Sequence, residues 1–329
     1  MASMITMFLQ SAYSMIDGLF VSNLIGDTAL SAVNVAWPVI AVVTAIGTGV
    51  GCGGAVMMST KQGEGKNEES NIVRANVILA LLASSIVVTI LFLVLLTPLL
   101  KLMGAEGELL RLSQIYGRVM LTGGVLQILS CGLTPLLRND NRAVSAMMIM
   151  VGGLFANLGL DFVFMYVFHM GIGGAAGASL CAQLFTTLCC LIILGTKKTD
   201  PIRFSQFMIR KEYWKKIFKT AVSPFGISLT PSLLILYHNV ACLKFGGDLA
   251  VNAYALISST VGSYRVLLIG VAEGIQPLAS YAYGAHDFHA IRKIRNKAVI
   301  TAIGVSFFLF IFTIATARFY PAIYGYEGE

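Results

Sequence analysis

The 329 residues are 57% hydrophobic and 12% charged, with a mean hydropathy of +0.80, whereas an average soluble domain is roughly 25% charged. Such a chain cannot wrap itself in a polar surface, so lipid must be its solvent. The formal charge of +7 does not point to nucleic acid, because the basic residues lie in short connections between apolar blocks, where they report topology.

Those blocks are each near the roughly 20 residues a helix needs to cross hydrocarbon. Read against the breaker clusters, they predict nine spans, at about 4–24, 32–58, 73–100, 113–136, 143–168, 173–196, 218–245, 250–283 and 298–319. No ten-residue alternating pattern supports a β-barrel. The first apolar stretch runs through Asp17 into Asn23 and Gly26 without a small-residue cleavage site, so no cleavable secretory signal is expected. Asp17 lies inside the first span, where a carboxylate costs on the order of 3 kcal/mol. Desolvation there raises a carboxyl pKa and lets it exchange protons near neutral pH; the plainer reading places Asp17 near enough to the outer surface to be hydrated.

In the second span, Gly47-Thr-Gly-Val-Gly-Cys-Gly-Gly54 has the composition of a nucleotide loop. It follows no strand and lacks a Gly-Lys-Ser/Thr ending, so close helix packing through small residues is expected instead. Asp27 and Asp248, each after a glycine and before an apolar run, suit helix capping. In the fifth span Asn157 and Asp161 are four residues apart, which places them on one helical face about 6 Å apart. A carboxylate beside an amide oxygen suits a hard cation or a proton; the alternative is a helix–helix hydrogen bond.

His238 in the seventh span is either a titrating group or a satisfied core histidine. Arg265 and Glu273 in the eighth are two turns apart on one face, which predicts an ion pair in a second cavity, with Gln276 beside it. Pro277 is expected to break the helix and free a carbonyl toward the cleft. His286-Asp-Phe-His289 reads as a solvated inner loop rather than a metal site. The six cysteines, Cys52, Cys131, Cys181, Cys189, Cys190 and Cys242, show no CxxC spacing and read as small hydrophobes. The 14 methionines offer an adaptable lining for varied apolar cations.

The connections after the second, fourth, sixth and eighth spans, with their flanks, carry 17 of the 23 lysines and arginines. The positive-inside rule makes them cytoplasmic, puts the N-terminus in the cytoplasm and makes this a multi-pass protein of the inner (plasma) membrane. The aromatic and basic stretch 197–217 is expected to be an amphipathic linker on the inner leaflet. Shifting the chain by 221 residues aligns Gly26-Asp27 with Gly247-Asp248, Gly49 with Gly270, Gly53 with Gly274, Ser59 with Ser280 and Gly63 with Gly284. That predicts parallel repeats: a six-helix lobe in 1–196, the linker 197–217, and a partial lobe of three helices in 218–329.

The residues from Tyr13 to Val33, Asn157-Leu-Gly-Leu-Asp161 with Gly171-Ile-Gly-Gly-Ala-Ala-Gly-Ala178, Gly270-Val-Ala-Glu-Gly-Ile-Gln-Pro277 with Tyr283-Gly284, and Arg138-Asn-Asp-Asn-Arg142 together resemble the multidrug and toxic compound extrusion (MATE) transporters. The resemblance implies an all-α polytopic membrane protein with two helical lobes around a central cleft, twelve spans in the whole family fold, and export of organic cations or drugs against protons or sodium. Against that pattern the chain reads as ending after nine spans. It also implies a functional carboxylate at Asp17 and an ion-coupling site at Asn157 and Asp161.

The reading is a secondary exporter of lipophilic, cationic small molecules, monomeric in its lipid bilayer. It uses H+ or Na+ as coupling ion and no other cofactor, with Glu273, Arg265, Gln276 and His238 as substrate or second-cavity residues. A lipid or oligosaccharide flippase of related architecture, which should show a larger and more cationic cleft, is the rival within transport; an inactive truncated remnant is another alternative. A membrane-embedded enzyme is the rival of another class; against it stands the lack of His-x-x-Glu-His, Gly-x-Ser-x-Gly or paired carboxylates at catalytic spacing, and no enzyme activity is expected.

Overall fold

The structure, a computed structural model, describes residues 27–196, 206–207 and 209–316. Among these it is all helical: α1 Asp27–Gly63, α2 Asn67–Leu102, α3 Gly107–Thr122, α4 Gly124–Asn139, α5 Ala143–Asp161, a π-helical turn Phe162–Val167, α6 Gly171–Gly195, α7 Lys211–Gly284 and α8 Phe288–Thr316. Helices α1, α2, α5 with its π turn, α6 and α8 are each long and apolar enough to cross a membrane, and α3 and α4 meet that test only together, as a bent pair. In lipid every backbone polar group must be satisfied internally, which leaves the helix as the form for such segments. The expected fourth span breaks at the Gly123-Gly124 pair, where α3 and α4 meet at 57°, a bend that paired glycines permit.

Helix α7 has 74 residues and cannot be straight. Straight, it would separate Ala221 from Tyr281 by about 90 Å. Both ends instead lie on the last turns of α1: a Cβ on Gly53 would meet the Ala221 Cα at 3.0 Å, and one on Gly63 would meet the Tyr281 carbonyl oxygen at 2.0 Å. His238 and Tyr254 stack with ring centroids 5.0 Å apart, although a straight helix would hold them about 24 Å apart. The chain therefore folds back between them, and α7 supplies the two limbs predicted as spans seven and eight. The backbone stays helical through Gly247-Asp248, where a loop was expected, so no separate helix begins there. Nor does Pro277 end its helix, which runs on to Gly284. Helix α7 begins at Lys211, and Tyr213 and Trp214 pack on the core while Ile217 is fully buried, so residues 211–217 are the first turns of a packed helix rather than a separate one.

The glycine run of α1 serves packing in three directions. A Cβ on Gly47 would sit 2.8 Å from the Ile128 carbonyl oxygen, and one on Gly51 2.4 Å from the Gly132 Cα, both on α4. Gly49 and Gly53 face Ala221 of α7, and Gly54 faces Val77 of α2. Backbones approach this closely only where side chains are absent. The repeat also becomes visible here. Gly63 lies against Tyr281 and Gly284, while Gly284 lies against Thr60, its would-be Cβ 2.0 Å from that carbonyl oxygen. Under the shift of 221, Thr60 corresponds to Tyr281 and Gly63 to Gly284, so each copy presents the same patch to the other, as across a two-fold axis.

The polar ends gather on one side. Arg74 pairs with Asp140 at 3.4 Å with both side chains 1% exposed, Gln62 donates to Asp140 at 3.4 Å, Arg142 donates to the Ile193 carbonyl, and the Arg210 amide donates to Asn76 Oδ1 at 3.0 Å. The connections predicted after the second, fourth and sixth spans therefore lie on one side. Breaking a buried ion pair strands the remaining charge, at a cost of about 3–5 kcal/mol. Arg74→Ala is accordingly expected to lower the detergent-solubilised melting temperature by several degrees, whereas exchange of the exposed Arg111 leaves it unchanged; differential scanning fluorimetry checks both.

Candidate functional site

Helices α1, α3, α4, α5 and α6 enclose a cavity of about 390 Å³. Trp37, Thr44 and Thr48 line it from α1, Tyr116 and Met120 from α3, and Ser130, Cys131 and Thr134 from α4. Gly153 and Asn157 contribute from α5, Ser179, Gln183 and Thr186 from α6, and Arg138 of α4 meets Glu273 of α7 at its wall. The mixture of aromatic, thioether and hydroxyl groups suits an apolar guest with a polar or charged end.

On α5, Asn157 Nδ2 donates to Asp161 Oδ2 at 3.0 Å. Asp161 is completely buried and Asn157 is 6% exposed, so the carboxyl group sits just behind the cavity wall with the amide between. The pairing predicted from four-residue spacing is present. Directly after Asp161 the helix widens into the π turn Phe162–Val167, a local distortion that recurs at functional sites, and His169 and Gly171 then take left-handed backbone angles. A buried carboxyl held by an amide has the chemistry to take up a proton, or to give oxygen ligands to a small hard cation. Asp17 lies outside the described residues.

The second set of predicted residues is arranged differently. Glu273 pairs not with Arg265 but with Arg138, Nη1 to Oε2 at 2.5 Å. Eight residues along one helix span about 12 Å, too far for the predicted pair, whereas α4 brings Arg138 alongside. Arg265 is exposed. Gln276 is at the same seam, where Asn139 Nδ2 donates to its Oε1 at 3.1 Å, and Ser59 donates to Asn139 Oδ1 at 2.8 Å. His238 is exposed, with Nδ1 2.7 Å from the Leu234 carbonyl oxygen, so it is not a core histidine. Asp287 caps α8 by accepting from the Ala290 amide at 2.8 Å, and among the described residues no cluster of His, Cys, Asp and Glu could hold a metal.

Trp37, Tyr116 and Gln183 lie outside the set of site residues that sequence patterns single out. Thr44 and Thr48, four apart in an apolar span, and Gln183, a lone amide in another, carry the available signal. Arg138, which sequence places in an inner loop, belongs to the last turn of α4.

Electrostatics outside the spans separate structural from functional charges. In the turn between α1 and α2, hydrogen bonds from Lys61 and Lys66 hold the Glu64 carboxyl down from 4.5 to about 2. A depressed carboxyl contributes its stability fully above the unfolded value of 4.5 and loses it as the pH falls toward 2. This turn is therefore constant between about pH 5 and 8. Glu64→Gln is expected to leave the shape of any pH profile in that window unchanged, which a dye-binding titration checks.

These helices, with a polar-lined cavity and a buried acid inside the apolar spans, define a polytopic membrane transporter. The sequence pattern of the MatE family matches residues 2–163 and 227–329, and the chain belongs to this family of MATE efflux transporters. It is 26% identical over 319 residues to the multidrug export protein MepA of Staphylococcus aureus, covering 95% of this chain and 69% of that protein. The MepA of Staphylococcus saprophyticus is 25% identical over 302 residues, covering 91% of this chain and 66% of that protein. A multidrug resistance MATE transporter solved in an outward-facing conformation superimposes with a TM-score of 0.93 at 26% identity, over 99% of this chain and 72% of that one. A MOP superfamily transporter from Pyrococcus furiosus, described as having a binding pocket of reversed polarity, gives 0.93 at 25% identity over 100% of this chain and 73% of that one.

Proposed function

We propose that this protein exports lipophilic cations in exchange for protons or sodium ions by alternating access, with Asn157 and Asp161 holding the coupling ion and Asp17 assisting. The observation that carries the reading is the fully buried Asp161 carboxyl, bonded to Asn157 at the wall of the cavity. An ionisable group kept away from water inside apolar spans is costly, so its presence there supports a functional role. The MatE membership and the multidrug export relatives supply the drug-like substrate class. Occupation of the acid by an ion favours one facing state, so that ion entry and substrate exit are linked.

In this reading the chain is a multi-pass protein of the plasma membrane, with its N-terminus in the cytoplasm and the basic loops inside, and it works as a monomer. A flippase for polyanionic lipid headgroups would need an excess of cationic groups in the cavity. Among the described lining residues the one guanidinium is matched by a carboxylate. Vesicles carrying the full chain test the proposal. Ethidium movement should follow an imposed proton or sodium gradient, and movement indifferent to both would refute the exchange.

A further inference from the structure

The cavity and the seam between the two repeats meet at one place. Among the residues lining the cavity, one is acidic and one basic, Glu273 and Arg138, and they come from opposite sides of the seam. Their side chains are 23% and 8% exposed, so the pair is neither fully solvated nor sealed. Next to it the Asn139–Gln276 bond crosses the same seam, with Asn139 held in turn by Ser59. Thr60 Oγ1 approaches the Ser280 carbonyl oxygen at 3.5 Å, and Gly63 abuts Gly284. These contacts form a continuous row from the cavity wall to the basic end.

We infer that Arg138 is a built-in occupant of a cation subsite at Glu273, and that an organic cation entering the cavity displaces it and unfastens the basic end. Among the described lining residues, a cation in the cavity meets one carboxylate, Glu273, already neutralised by Arg138. Exchanging one cation for another leaves the carboxylate compensated, and the displaced Arg138, in the last turn of α4 at the basic end, must swing out to solvent so that its guanidinium is not left buried without a counter-ion. What it removes is the ion pair joining α4 to α7. The remaining seam bonds are neutral, and neutral bonds are roughly half as strong as charge-assisted ones. A binding event in the cavity is thereby turned into loosening of the contact that closes it. This rests on the alternating-access reading above, but it is tested without transport.

Hydrogen–deuterium exchange on the purified full chain in detergent reads the seam through peptides covering residues 56–63 and 278–285, with tetraphenylphosphonium as the cation. Wild-type protein should exchange slowly there alone and about tenfold faster with saturating cation, the loss of one charged hydrogen bond. Glu273→Gln should exchange fast without the cation and gain nothing from it. The exchanged pair Arg138→Glu with Glu273→Arg should restore slow exchange, and Arg138→Lys should keep it. If the exchanged pair stays as fast as the single variant, or if the cation binds wild-type protein and leaves the seam unchanged, the inference is overturned. Failure of gradient-driven export with these exchange results intact would count against the ion exchange alone.

Discussion

Asp161→Asn is expected to abolish gradient-driven export while leaving the cavity able to bind its guest. The substitution conserves shape, and Asn157 can still bond to the new side chain, so packing around α5 is retained. What disappears is the ability to alternate between neutral and charged forms. The gradient-dependent part of ethidium efflux should disappear, and with it the shift of about 5–150-fold in dye affinity that a coupling free energy of about 1–3 kcal/mol gives. Asn157→Ala should fall less, because the acid survives but loses its orienting partner. Initial rates in vesicles, with and without the gradient, separate loss of coupling from loss of binding. A variant that binds the dye and still follows the gradient would remove Asp161 from its role.

The second large effect is steric. Gly51 faces Gly132 so closely that a single added carbon would lie 2.4 Å from its Cα, against backbone on both sides. No rotamer change relieves such a contact, because the neighbour is not a flexible side-chain tip. Gly51→Leu is expected to cost about 3 kcal/mol or more, at the upper end of overpacking penalties, and to give protein that aggregates on extraction. Gly159→Ala, whose added carbon meets no atom within 4 Å, is the control expected to behave as wild type. Size-exclusion profiles of the detergent extracts, followed by thermal melts, decide between them.

Both expectations rest on features that are legible in the sequence to different depths. Asn157 and Asp161 share one helix, and the pitch of a helix alone places residues four apart in contact, so their spacing is enough to read the pair. The glycine run of α1 is likewise legible as a packing surface, because small residues inside an apolar span have little else to do. The shift of 221 residues matches Gly63 with Gly284, but matching is not touching. Only the fold shows that the two copies meet there through equivalent patches.

Tertiary partners are the illegible part. Spacing along a helix is all a sequence displays, and it pairs Arg265 with Glu273. The true partner, Arg138, is 135 residues away along the chain, and the clustering of basic residues at span ends makes it read as a loop residue. The wall formed by Trp37, Tyr116 and Gln183 needs several helices to be brought together, and no local pattern encodes that. The repeat predicts a loop at Gly247-Asp248; the chain instead stays helical through these residues.

The central claim is that one ion and one organic cation are linked through Asp161, and binding linkage tests it most directly. The affinity of the purified protein for tetraphenylphosphonium, measured across pH 5 to 8 and across sodium concentrations, should weaken as the coupling ion, protons or sodium, rises, by about 5–150-fold in all. Asp161→Asn should bind with a flat profile. Affinity that ignores both ions in the wild type, or a slope that survives in the variant, would contradict the account.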